Sequence, residues 1–127
     1  MSDASSQVPG KILWVDLTVP NAAQVRDFYA QVVGWEAEPV EMGGYSDYNM
    51  LPPGSEQPAA GICYARGVNS EFPAQWLIYI SVPDIDLAVE RALSLGGILL
   101  VGPRKSASGG FCVIQDPAGA VAALYTP

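Results

Sequence analysis

The sequence predicts an α+β protein made of two β-α-β-β-β modules, whose mixed sheets curve around a shared cleft. Three observations carry that prediction. The chain contains an internal repeat, each copy opens on an alternating strand, and each copy then shows a helix with its own start and stop signals. Together they predict a single domain over residues 1–127. Module one covers about 11–65, a linker about 66–75, and module two about 76–127.

The repeat is visible in KILWVDLTVPNAAQVRDFYAQVVGW (Lys11–Trp35) and WLIYISVPDIDLAVERALSLGG (Trp76–Gly97). One constant shift carries Val19-Pro20-Asn21 onto Val82-Pro83-Asp84 and Gly34 onto Gly97. Duplication at this period is the mark of a repeated supersecondary unit.

The opening strand of each copy rests on period-two alternation. Leu13, Val15, Leu17 and Val19 form one apolar row, and Trp14, Asp16 and Thr18 form the other. In copy two the rows are Ile78, Ile80, Val82 and Leu77, Tyr79, Ser81. The aliphatic row suits packing against a helix; the mixed row suits the lining of a cavity.

A helix follows each strand. Asn21 and Asp84 are good N-caps placed just after a proline, and Gln24 stands three residues after Asn21 as in a capping box. Val25, Phe28, Tyr29 and Val32 recur at helical spacing, as do Ile85, Ala88, Ala92 and Leu95. Gly34 and the Gly96-Gly97 pair supply left-handed stops. Three shorter strands are expected after each helix. They cover roughly Glu36–Glu41, Tyr45–Leu51 and Ala59–Ala65, then Ile98–Gly102, Gly110–Gln115 and Ala120–Tyr125. Pro52-Pro53-Gly54 and Pro117-Ala118-Gly119 punctuate the last hairpins. A helix covers only one face of a four-stranded sheet, so the other face must meet a partner, and two modules imply a cleft.

Composition narrows the function classes. Half of the 127 residues are apolar, enough for a real core. No apolar run approaches the ~20 residues of a membrane span. The first ten residues are small and polar without an apolar signal region, which reads as a frayed start in a cytoplasmic protein. Six basic residues against thirteen acidic give a formal charge of −7. That surface repels phosphate backbones and anionic lipid, so neither nucleic acid nor membrane is an expected partner, while a basic or neutral small molecule is. Cys63 and Cys112 read as small buried thiols, a disulfide being the alternative; with no CxxC or Cys/His cluster, no zinc site is expected.

The stretches VDLTVPNAAQVRDFYAQVVGW, ISVPDIDLAVERALSLGG and the closing GGFCVIQDPAGAVAALY resemble the vicinal oxygen chelate superfamily. That superfamily includes glyoxalase, bleomycin-resistance proteins and extradiol dioxygenases. The resemblance covers nearly everything after the first ten residues and implies the glyoxalase/bleomycin-resistance-like fold. It also implies pairing of two chains, within which the cleft forms either in one chain or by exchange of modules. Its metal-dependent members carry a histidine on a module's first strand and a glutamate on its last. Here Trp14 and Leu77 stand at the first-strand positions and Ala123 at the glutamate position, and the chain holds no histidine. No histidine-ligated metal and no cofactor are therefore expected. An oxygen-only site joining Asp16 to Asp47 or Glu41 is the remaining metal option.

Six residues are the candidate ligand contacts: Trp14 as a stacking wall, Asp16 as polar anchor, and Tyr48, Met50, Tyr79 and Tyr125 as further lining. Each also has a plain reading as packing or as a solvated side chain. Asp16 is the one catalytic candidate, as a general base. The loop GPRKSASGG, with Arg104, Lys105, Ser106 and Ser108, could gate the cleft or meet an anion, or be a solvated turn. The leading expectation is a metal-independent protein binding a small, mostly apolar or aromatic molecule. The alternatives are a metal-free or oxygen-only-metal enzyme (isomerase, hydroxylase or dioxygenase-like), and an interaction module without a small ligand.

Overall fold

The computed structural model describes residues 8–107 and 109–127; Ser108 and the first seven residues lie outside the described residues. The elements run β1 (Ile12–Val19), α1 (Ala22–Val32), β2 (Glu36–Glu41), β3 (Ser46–Leu51), β4 (Ala60–Tyr64), a 3-10 turn (Gly67–Glu71), β5 (Trp76–Ser81), α2 (Ile85–Ser94), β6 (Ile98–Ser106), β7 (Gly109–Gln115) and β8 (Val121–Thr126). Two β-α-β-β-β modules are present. Neither helix is long and apolar enough to cross a membrane.

The chain divides into two compact units. The first holds residues 15–76 and the second residues 77–127 together with the segment before residue 15. That segment joins the second unit through backbone bonds: Gly10 N–H donates to Ser81 O at 2.7 Å, and Ser81 N–H donates to Lys11 O at 2.8 Å. The Ser81 hydroxyl adds to this, accepting from Lys11 N–H at 3.2 Å and donating to Val8 O.

In the first unit the strand order is β2-β3-β4-β1. β1 and β4 are parallel, and the other pairs antiparallel. Leu17 pairs with Ile62, Ile62 with Tyr48, and Tyr48 with Pro39, so these residues share one face. That face meets α1. Leu17, Val19, Ala22, Tyr48, Met50 and Ile62 form the core there, with Val25, Tyr29, Trp35, Tyr64 and Trp76 packed against it. The Trp76 indole N–H donates to the Tyr29 hydroxyl at 3.1 Å, and Trp35 closes the aromatic cluster edge-on to Trp76.

In the second unit the order is β6-β7-β8-β5, with β5 and β8 parallel. Ile85, Cys112 and Leu124 form the core beneath α2, with Ile80, Val82, Ala88, Val89, Leu99 and Ile114 around them. The aliphatic rows read from the sequence thus face the helices in both units.

The helix signals differ in strength. The Asp84 carboxylate accepts from Leu87 N–H at 3.1 Å and caps α2 as expected. Asn21 stands at the start of α1, but its side-chain amide donates to Gln24 Oε1 at 3.0 Å and caps no backbone group. The expected capping box is therefore absent. Phe28 and Val32, expected on the buried stripe of α1, are more than half exposed, as is Leu95 beyond α2. The stops hold: Gly34 and Gly96 have φ of +86° and +93°. Gly97 is needed for space, since a Cβ there would lie 2.8 Å from Ala92 O.

Strand β6 runs four residues beyond the expected end at Gly102 and places Arg104 and Lys105 in the ladder rather than in a loop. Its register is irregular. Leu99 pairs with Ile114 and Val101 with Val113, and the next pair is Arg104 with Phe111. Each step adds one residue on β6 relative to β7, which is a β-bulge. Val101 and Arg104, three apart, consequently lie on the same face. Gly102, with φ +82°, takes the turn; a Cβ on it would meet Arg104 N at 2.9 Å and Phe111 O at 3.0 Å.

Candidate functional site

The sheet faces turned away from the helices carry the polar and aromatic rows. In the first unit Asp16, Gly61, Asn49 and Glu38 lie across one rung, and Thr18 pairs with Cys63. Asn49 donates to Glu38 Oε1 at 3.4 Å. Asp47 Oδ1 accepts from Tyr64 N–H at 2.9 Å. The half-buried Cys63 thiol is pushed up to about 12, chiefly by burial, then by the charges of Asp16 and Asp47 and a hydrogen bond to Asp47. A thiol held protonated in this way is a poor nucleophile at neutral pH. Cys63 and Cys112 are both free, so the disulfide alternative is set aside.

In the second unit one rung away from α2 is Tyr79, Ala123, Val113 and Val101, and the next is Ser81, Tyr125, Phe111 and Arg104. Arg104, Phe111 and Tyr125 line a cavity of about 190 Å³ together with Lys105, Ser106, Gly109 and Gly110. The Arg104 guanidinium lies 5.7 Å from the Phe111 ring centroid. Lys105 is paired with Asp86 on α2. The floor of the cavity is backbone: a Cβ on Gly109 would lie 2.0 Å from Thr126 O, and one on Gly110 would lie 3.2 Å from Arg104 O. At Gly109 and Gly110 the backbones of β6, β7 and β8 thus approach one another closely.

The six candidate residues divide. Tyr79 and Tyr125 lie on the face away from α2, and Tyr125 belongs to the cavity. Asp16 lies on the face away from α1, and Trp14 is a half-buried residue of the same β1 row. Tyr48 and Met50 were expected to share the space of Asp16 and do not. They belong to the Leu17 row, where Met50 is 0% exposed and the Arg26 guanidinium lies over Tyr48, 4.7 Å from the ring centroid. Sequence reasoning read Arg104 as part of a loop and passed over Phe111. The Gly102-Pro103 pair inside an otherwise strand-like run was the available signal of a bulge.

The metal-holding pattern of the superfamily does not fit this chain. Trp14, Leu77 and Ala123 bring no donor atom to the positions concerned. Among the described residues no group of three or more His, Cys, Asp and Glu side chains is placed to hold an ion. Glu41, one acid of the oxygen-only option, has its Oε1 engaged in its own turn, where it accepts from Gly43 and Gly44 N–H at 2.9 and 3.0 Å.

Residues 13–125 match the glyoxalase-like domain family, spanning both modules. The chain belongs to that family. It is 30% identical over 115 residues to the Mycobacterium bovis protein named as glyoxylase CFP32, a match covering 88% of this chain and 44% of that protein. Over 115 residues it is also 30% identical to the anthracycline biosynthesis protein DnrV of Streptomyces peucetius, covering 89% of this chain and 40% of that one. This glyoxalase-like chain thus spans roughly two fifths of the length of these relatives. Among solved structures it is similar to methylmalonyl-CoA epimerase from Mycobacterium tuberculosis, with a TM-score of 0.54 at 22% identity over 99% of this chain and 93% of that one. It is likewise similar to protein BH1468 from Bacillus halodurans, with a TM-score of 0.56 at 11% identity over 93% and 94%. At those identities the likeness establishes the fold.

Proposed function

We propose that this glyoxalase-like chain binds a small, planar, mostly apolar molecule on the face of its second unit turned away from α2. The ligand's ring lies against Phe111 and Tyr125, and an anionic or acceptor group meets Arg104. The observation that carries the reading is the bulge at Gly102-Pro103, which turns a guanidinium onto the rung of two aromatic rings around a cavity. Arg presents a planar fork of N–H donors suited to a carboxylate or carbonyl.

The ligand expected from the net charge was basic or neutral. The cavity's own lining argues for the opposite sign, because the Arg104 guanidinium lies in it, Lys105 being paired with Asp86. An aromatic ligand also agrees with a relative named for anthracycline biosynthesis. Tyr79 adds aromatic surface on the same face. Trp14 as a stacking wall and Asp16 as a polar anchor are proposed separately, each on the polar row of β1 within its own unit.

Calorimetric titration with 2-naphthoate tests the proposal. Binding is expected in the wild type, and Arg104→Ala weakens it about 10- to 100-fold, the loss of a charge-assisted hydrogen bond. Arg104→Lys recovers only part. Unchanged affinity in Arg104→Ala, or equal affinity for neutral 2-naphthamide, overturns the reading.

An enzymatic reading is the alternative, supported by relatives named as a glyoxylase and an epimerase. Asp16 would act as its base, on a face where its charge already reaches the Cys63 thiol.

A further inference from the structure

The helix-side face of the first unit carries a second cavity, of about 480 Å³, lined by Pro20, Tyr45, Ser46, Tyr48, Tyr64, Ala65 and Arg66. It is distinct from the Arg104 cavity, which belongs to the other unit. Its origin lies in the end of a ladder. β3 and β4 pair from Met50↔Ala60 to Tyr48↔Ile62. One step further on, Tyr64 N–H goes to the Asp47 carboxylate instead of to a backbone carbonyl. The start of β3 brings Tyr45, Ser46 and Tyr48 to one side of the groove. The end of β4 brings Tyr64, Ala65 and Arg66 to the other.

Two guanidinium groups stand on these rings. Arg66 lies over Tyr45 at 3.9 Å from the centroid, and Tyr45 meets Tyr64 edge-on at 6.0 Å. Arg26 lies over Tyr48 at 4.7 Å, but its Nε is already bonded to Asp27 Oδ1 at 2.9 Å. Arg66 is exposed, and among the described residues it forms no ion pair. A guanidinium held over a ring face still presents N–H donors at its edge, where a carboxylate or phosphate can meet them. In a chain of only six basic residues and charge −7, two of the six stand on this groove's rings.

We propose that this tyrosine groove is a second ligand site, binding a small aromatic anion whose charged group meets the Arg66 guanidinium while its ring lies among Tyr45, Tyr48 and Tyr64. The exposed rim and the overall negative charge set a weak, salt-sensitive affinity. Phosphate and carboxylate share the required chemistry, a planar body with a multidentate oxyanion.

The test is a residue-resolved NMR titration of the whole chain with phenyl phosphate, repeated with inorganic phosphate and with neutral benzyl alcohol. Saturable shifts are expected at the Ser46, Tyr64, Ala65 and Arg66 amides, with a dissociation constant on the order of millimolar that weakens as salt rises. Arg66→Ala should weaken binding about 10-fold. Arg66→Lys should recover only part, and the exposed Arg91→Ala on α2 should change nothing. Groove amides that do not move, or an affinity unaffected by Arg66→Ala, overturn the proposal. Equal shifts with benzyl alcohol or with inorganic phosphate also overturn it, the first removing the charge and the second the ring. Shifts confined to Gly109, Gly110, Phe111 and Tyr125 would report the other cavity alone, so failure here is distinct from failure there.

Discussion

Cys63 shows how one residue's surroundings set its chemistry. Burial and two carboxylates hold its thiol protonated well above the ordinary value of 9.0, at about 12. An unfolded chain releases that proton near the ordinary value, so between those two pH values the native state binds more protons than the unfolded one. Its contribution to stability is full below pH 9 and is lost as pH rises toward 12. Melting temperatures measured from pH 8 to about 11 should fall faster for the wild type than for Cys63→Ala. Parallel curves would contradict this account of the thiol. Met50 makes the complementary case. It is fully buried in one core cluster with Leu17 and Ile62, a place where a side chain contributes to stability. Met50→Ala should cost about 2–5 kcal/mol in denaturant unfolding and leave naphthoate affinity unchanged. Its expected place was on the cleft; the missed signal was that Tyr48 and Met50 alternate with Asp47 and Asn49 just as Leu17 and Val19 alternate with Asp16 and Thr18. The apolar row of β3 belonged with the apolar row of β1.

At the scale of elements, equivalent signals in the two copies do unequal work. Asp84 accepts a backbone N–H at the start of α2, whereas the Asn21 amide is turned to Gln24. Asp84→Ala should therefore cost about 1 kcal/mol, and Asn21→Ala clearly less, by chemical unfolding. Equal losses would show that the caps are alike in solution. Strands, helices and glycine stops were readable because each depends on a few neighbouring residues. The bulged strand β6 was not. Its two register shifts, at Leu100 and at Gly102-Pro103, cancel in parity and leave Arg104 on the face opposite Leu99, as plain alternation gives, but the Gly-Pro pair read as the strand's end and Arg104 as part of a loop. The site residue with the strongest claim was hidden for that reason.

For the molecule as a whole, the overall charge of −7 is a poor guide to either cavity. Arg104 and Lys105 line one, and Arg66 lines the other with Arg26 stacked on one of its rings. Lys105 and Arg26 are paired with Asp86 and Asp27, so Arg104 and Arg66 carry the local positive charge, which more distant carboxylates, screened by solvent and salt, do not cancel. The family fold was legible from the repeat and its motifs, and the missing histidine from composition. The ligand was not, because fold does not fix function. The most direct measurement is an isotope-filtered NOE experiment on the complex with 2-naphthoate. The account predicts contacts from the naphthalene protons to the Phe111 and Tyr125 rings. Binding with contacts elsewhere and none to those two rings would contradict it.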